Sequence, residues 1–170
     1  MQMPVNLPLV DRWVDWIDPL RSVNTYGLFA VMTPTRPEIL VEGSLDGVEW
    51  RTYDFRFKPG SLETAPRLVA PFHPRLDWQM WFAALGRYEE EHWYQRFCDR
   101  LLEGSPSVRG LLAADPFAGT PPKYVRATLY RYRFAPSGQK TWWVRARLGD
   151  YSPVLTTAGV PPPPLERGVQ

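Results

Sequence analysis

Hydrophobic positions along the chain change period twice. Tyr26 to Met32, Glu38 to Gly43 and Glu49 to Phe57 are short runs rich in β-branched and aromatic residues, punctuated by Pro34, Pro37 and Asp46-Gly47. That composition predicts three antiparallel strands. Glycine tolerates positive φ, so the Asp46-Gly47 pair predicts a hairpin turn between the second and third. From Asp77 onward, Trp78, Trp81, Phe82 and Leu85 fall at i, i+3, i+4 and i+7, with Gly86 placed to stop a helix. Asp77 is then the expected N-cap. A longer helix is predicted from Tyr88 to Glu103, with Trp93, Tyr94, Phe97, Cys98, Leu101 and Leu102 on one face. Ser105-Pro106 opens a short third helix through Leu112. Tyr124 to Phe134 and Thr141 to Leu148 return to strand chemistry, joined through Pro136-Ser137-Gly138. The order of strands, then helices, then strands predicts an α+β fold: a mainly antiparallel sheet with helices packed on one face.

The ends read differently. Val10, Trp13, Val14 and Ile17 sit at helical spacing, which predicts an amphipathic lead-in helix within residues 1–20. Its apolar face suits either its own domain or a bilayer surface. Pro161 to Pro164 removes four successive backbone donors, so residues 158–170 are expected to be a poorly ordered tail. Residues 21–157 remain as the single α+β domain.

Composition narrows the function classes. With 170 residues, 44% of them hydrophobic, the chain can bury one substantial core. The net charge of +2 gives no ground for nucleic-acid binding. A single cysteine, Cys98, excludes an intramolecular disulfide, and its place on an apolar helix face predicts an inert thiol. No apolar run approaches the roughly 18 to 20 residues that span a bilayer, so this chain is expected to be soluble by itself.

Catalytic constellations are missing from the sequence. His73 and His92 have no metal-ligand spacing, Glu89 to Glu91 suit a solvated helix start, and Cys98 lacks an activating context. The glycines form neither a phosphate-binding nor a dinucleotide-binding loop. No catalytic, metal or cofactor-binding residue is assigned, and no cofactor is expected. The competing enzyme reading uses His73 and Asp77. Recognition chemistry is more evident: Arg126, Arg131, Arg133, Lys140, Arg145 and Arg147 fall between Asp115 and Asp150 with no acidic residue among them. Strand alternation groups Arg131 with Arg133, and Trp143 with Arg145 and Arg147. It is expected to turn Tyr130, Tyr132 and Phe134, with Trp142, Val144, Ala146 and Leu148, toward the core. Either the arginines stack on aromatics and pair with helix carboxylates, or they form a docking patch for an acidic partner or anionic lipid headgroups.

Several long segments resemble a known family. His73 to Gly86, Ser22 to Thr33, Arg36 to Ile39, Val41 to Ser44, Tyr124 to Ala127, Tyr130 to Phe134 and Gly149 to Pro153 are similar, in order, to the soluble C-terminal region of the lipase maturation factor family. Members of that family are multi-pass endoplasmic-reticulum membrane proteins with this region in the lumen, where they help secreted lipases reach an active assembled state. The resemblance implies a non-catalytic, chaperone-like domain of a membrane-associated protein. Its partners would be a client protein and an anionic membrane surface, with no nucleic acid. A stand-alone binding module is the alternative. Candidate partner-binding residues are Arg75, Asp77, Trp78, Gln79 and Trp81 in the first segment, and Arg131, Arg133, Trp143, Arg145 and Arg147 in the basic strands.

Overall fold

Strand β1 (Arg36–Ser44) is buried along most of its length, and its backbone is paired on both edges because it lies between two other strands. The computed structural model describes residues 35–69 and 74–159. Among them a four-stranded antiparallel sheet has the order β2-β1-β3-β4, with β2 at Arg51–Thr52, β3 at Tyr124–Phe134 and β4 at Trp143–Leu155. Helices α1 (Arg75–Ala83), α2 (His92–Leu102) and α3 (Pro106–Arg109) lie between β2 and β3 in sequence. The α+β fold with an antiparallel sheet is thus as the hydrophobic periods predict. The predicted strand at Tyr26 to Met32, the lead-in helix and most of the tail lie outside the described residues.

One face of the sheet supplies Ile39 and Val41 from β1, Val125 and Ala127 from β3, and Tyr151 and Leu155 from β4 to the core. Helix α2 meets them with Tyr94, Phe97, Cys98, Leu101 and Leu102, and α1 with Met80 and Ala83. Helix α2 ends as its sequence dictates. Gly104 takes φ +70, so Ser105 N–H reaches Arg100 O at 2.9 Å and Gly104 N–H reaches Leu101 O at 3.0 Å. These bonds satisfy carbonyls that the helix leaves unpaired. Burial pushes the Cys98 thiol up to about 12, so at neutral pH it is protonated and unreactive.

Gly43 marks the tightest approach to the sheet. A Cβ there would stand 2.7 Å from Phe117 Cε2 and 3.0 Å from Tyr53 Cε2. Gly43→Ala is expected to destabilise the domain by about 1 to 3 kcal/mol through overpacking, read as a lower denaturation midpoint at constant m-value.

Five local expectations need correction. Asp46-Gly47 does join antiparallel strands, with Gly47 at φ +80, but β2 lasts only two residues instead of running from Glu49 to Phe57. After Tyr53, whose N–H still donates to Val41 O at 2.9 Å, the chain leaves the ladder to place Phe55 in the core and Lys58 beside Glu38. The first helix begins at Arg75, so Asp77 is its third residue and not its cap. Its carboxylate is committed elsewhere, as described below. The second helix is broken: Tyr88–Glu90 forms a 3-10 turn before α2 starts at His92, and α3 stops at Arg109, short of Leu112. Finally, β4 continues past Leu148 to Leu155 and includes Pro153, which an edge strand accommodates.

Candidate functional site

Residues 57–64 form a strap that draws together segments far apart in sequence. Asp77 Oδ1 accepts from Phe57 N–H at 2.8 Å and Lys58 N–H at 2.9 Å, tying α1 to the strap. Lys58 Nζ stands 3.5 Å from Glu38 Oε2, donates to Pro59 O at 3.1 Å and lies 5.0 Å from the centre of the Phe55 ring. Both charged side chains are inside the protein, with 4% of Lys58 and 1% of Glu38 exposed. Arg36 Nε completes the cluster on Glu38 Oε1 at 2.7 Å, and its guanidinium lies 5.7 Å from the centre of the Trp143 ring. Burial pulls the Lys58 pKa below the ordinary lysine value; the carboxylates of Glu38 and Asp77 act against that shift.

Strands β3 and β4 hold the other end of the strap. Tyr132 Oη donates to Gly60 O at 2.7 Å, Trp143 Nε1 donates to Thr64 O at 2.8 Å, and the backbone N–H of Trp143 donates to Leu62 O at 3.1 Å. A cavity of about 310 Å3 opens beside the strap, with Arg36, Asp54, Arg56, Lys58, Arg67 and Trp143 on its wall. Asp77 does not line it, and His73 lies outside the described residues, so the His73/Asp77 pairing gains no support from this pocket. No cluster of metal-ligating side chains occurs among the described residues.

The candidate partner-binding residues therefore separate into supports and surface. Asp77 is only 8% exposed and Trp143 only 2% exposed, so both brace the interior. Lys58 and Glu38, which complete the same network, carry no sequence signal as a pair, whereas Tyr132, expected to face inward, is buried. On α1, Trp78 meets Trp81 and Phe82 edge to face, and Trp81 and Phe82 are tilted against each other, with ring centres 5.0 to 5.4 Å apart, while Met80 and Ala83 turn to the core. Arg75 is exposed and Gln79 partly so.

The β3–β4 hairpin also departs from the expected arrangement. Directly paired residues share a face, and the register pairs Tyr132 with Arg145, Tyr130 with Arg147 and Phe134 with Trp143. Arg145, Arg147 and Trp143 consequently lie with the tyrosines, whereas Arg131 and Arg133 lie on the opposite face with Ala146 and Val144. The four arginines do not make one patch. Sequence alternation fixed the grouping within each strand, but only the register relates one strand to the next. Arg145 lies 4.6 Å from the centre of the Tyr130 ring and donates to Tyr132 Oη at 3.1 Å, while Arg147 pairs with Asp150. Apolar residues that were expected in the core are instead exposed: Phe134 by 66% and Trp142 by 52%, with Val144 and Leu148 close behind.

The chain is similar in sequence to known proteins. Residues 22–153 match the family model described as the lipase maturation factor C-terminal domain. The chain is 43% identical over 159 residues to lipase maturation factor 2 of Xenopus tropicalis, covering 87% of this chain and 22% of that protein. It is 43% identical over 151 residues to lipase maturation factor 1 of Mus musculus, covering 81% and 26%, and 40% identical over 161 residues to lipase maturation factor 1 of Homo sapiens, covering 88% and 28%. The chain thus spans about a quarter of the length of these curated relatives. No solved structure matches. No helix among the described residues is long and apolar enough to cross a membrane.

Proposed function

Because the chain belongs to the lipase maturation factor family through that family's C-terminal domain, we propose that it is a non-catalytic domain that binds incompletely folded client proteins, a secreted lipase first among them, and favours their active form. The observation that carries this reading is the far end of the β3–β4 hairpin, where Phe134 and Trp142 are exposed beside Arg131, Arg133, Arg145 and Arg147. Aromatic and arginine side chains dominate binding hot spots, since each offers a large contact area and a polar handle. Their mounting is firm, because the strap fixes Tyr132 and Trp143 from behind. A rigid platform lowers the entropy lost on binding.

In this reading the domain acts as part of a membrane-associated protein, within the lumen of the endoplasmic reticulum in eukaryotic members. The positive charge of the hairpin also suits an anionic membrane surface, which the same domain could touch while holding a client. A direct test is refolding. A secreted lipase diluted from denaturant should regain several times more activity with the purified chain than with an inert protein at the same concentration, while the chain alone hydrolyses no lipid ester. Unchanged lipase recovery, or ester hydrolysis by the chain above a heat-denatured control, would overturn the proposal.

A further inference from the structure

Among the described residues β4 ends the sheet, so one side of its backbone faces away from β3. Its second half is blunted. The register slips at three points opposite residues 125–130 of β3, and Pro153 has no N–H to offer. Bulges and proline are devices that keep an edge from pairing. Trp143 to Arg147, by contrast, pair with Phe134 to Tyr130 residue for residue. Ala135 N–H donates to Trp142 O at 2.9 Å, which sets the phase of the ladder. Bonds to β3 then fall at Val144 and Ala146, leaving the N–H and C=O groups of Arg145 and Arg147 directed outward. Leu62 O already takes the outward N–H of Trp143, so the open stretch begins just beyond it.

Charge selects the occupant. Arg131, Arg133, Lys140, Arg145 and Arg147 stand on this hairpin against the single acid Asp150, and each face of the open stretch carries arginines. A second copy pairing edge to edge would set Arg145 and Arg147 against their equivalents, and like charges directly opposite are destabilising. Val144 and Ala146 add an exposed apolar stripe, with Trp142 and Leu148 at its ends. Resting on the client-binding reading above, we infer that the β4 edge from Val144 to Arg147 receives an extended acidic segment of a client as an added strand, by backbone pairing reinforced by flanking arginines.

The test uses a short fluorescent peptide of alternating glutamate and valine, with vesicles of phosphatidylcholine and phosphatidylserine as the membrane arm. Arg147→Pro removes an outward N–H without breaking a bond to β3, and Arg147→Gln removes the same charge alone. The proline variant should bind the peptide about tenfold more weakly than the glutamine variant, the effect of one lost hydrogen bond. A second measurement leaves the protein untouched: methylating alternate peptide nitrogens should abolish binding in one phase and spare it in the other. Equal affinity of the two variants together with equal binding of both methylated peptides would overturn the inference, as would vesicle binding without peptide binding. Lipase recovery that persists when the peptide does not bind would overturn the edge and leave the maturation reading standing.

Discussion

Glu38→Ala is expected to lower the unfolding free energy by about 3 to 5 kcal/mol, the usual consequence of leaving a buried charge without its partner. Lys58 would lose its nearest carboxylate while the half-exposed Arg36 remained, so a buried cation would be left without its partner. The pH dependence carries the signature. Lys58 has a folded pKa below the ordinary 10.5. The unfolded chain therefore binds the extra proton across the window between those values, and stability rises with pH there. Without Glu38 the folded pKa falls further, which widens that window downward. The gap between variant and wild type should consequently narrow as pH is raised from neutrality toward 10.5. Replacing both partners by apolar residues of similar size, Glu38→Leu with Lys58→Met, should recover most of the loss. Equilibrium denaturation at several pH values reads all three outcomes. A Glu38→Ala gap that is small, or that grows with pH, would reject the buried-pair account.

Asp77→Ala is expected to cost about 2 to 4 kcal/mol, because Phe57 and Lys58 would each lose the acceptor of a backbone N–H in a partly buried setting. For a domain of this size that corresponds to a fall in melting temperature of roughly 5 to 15 °C. Asp77→Asn keeps a carbonyl oxygen and should fall between the two. If Asp77 acted as a reacting carboxylate instead, both substitutions would leave stability nearly unchanged. Thermal unfolding of the two variants separates these roles.

Much of the fold was legible because its helices and strands differ in hydrophobic period. The stripe from Trp93 to Leu102 specified α2, and the runs at Glu38 to Gly43 and Tyr124 to Phe134 specified the central strands. What stayed hidden were contacts that depend on where one element meets another. Asp77 has the composition and position of a cap, yet its oxygen is taken by amides some twenty residues earlier in sequence. Lys58 reads as a surface lysine until the strap folds it against Glu38. The hairpin arginines alternate as expected within each strand, but cross-strand register decides which of them share a face, and a single chain carries no mark of that register. Exposure of Phe134 and Trp142 was equally hidden, since their alternation matches that of core residues.

The proposed role gives client binding to the β3–β4 hairpin and support alone to the Glu38–Lys58–Asp77 network. Hydrogen exchange of the chain, measured alone and with a lipase freshly diluted from denaturant, tests this most directly. Lipase should slow exchange at residues 142–148, most at the outward amides of Arg145 and Arg147, and leave β1 and α2 unchanged. Protection centred on the strap or on α1, with none at the β4 edge, would contradict it.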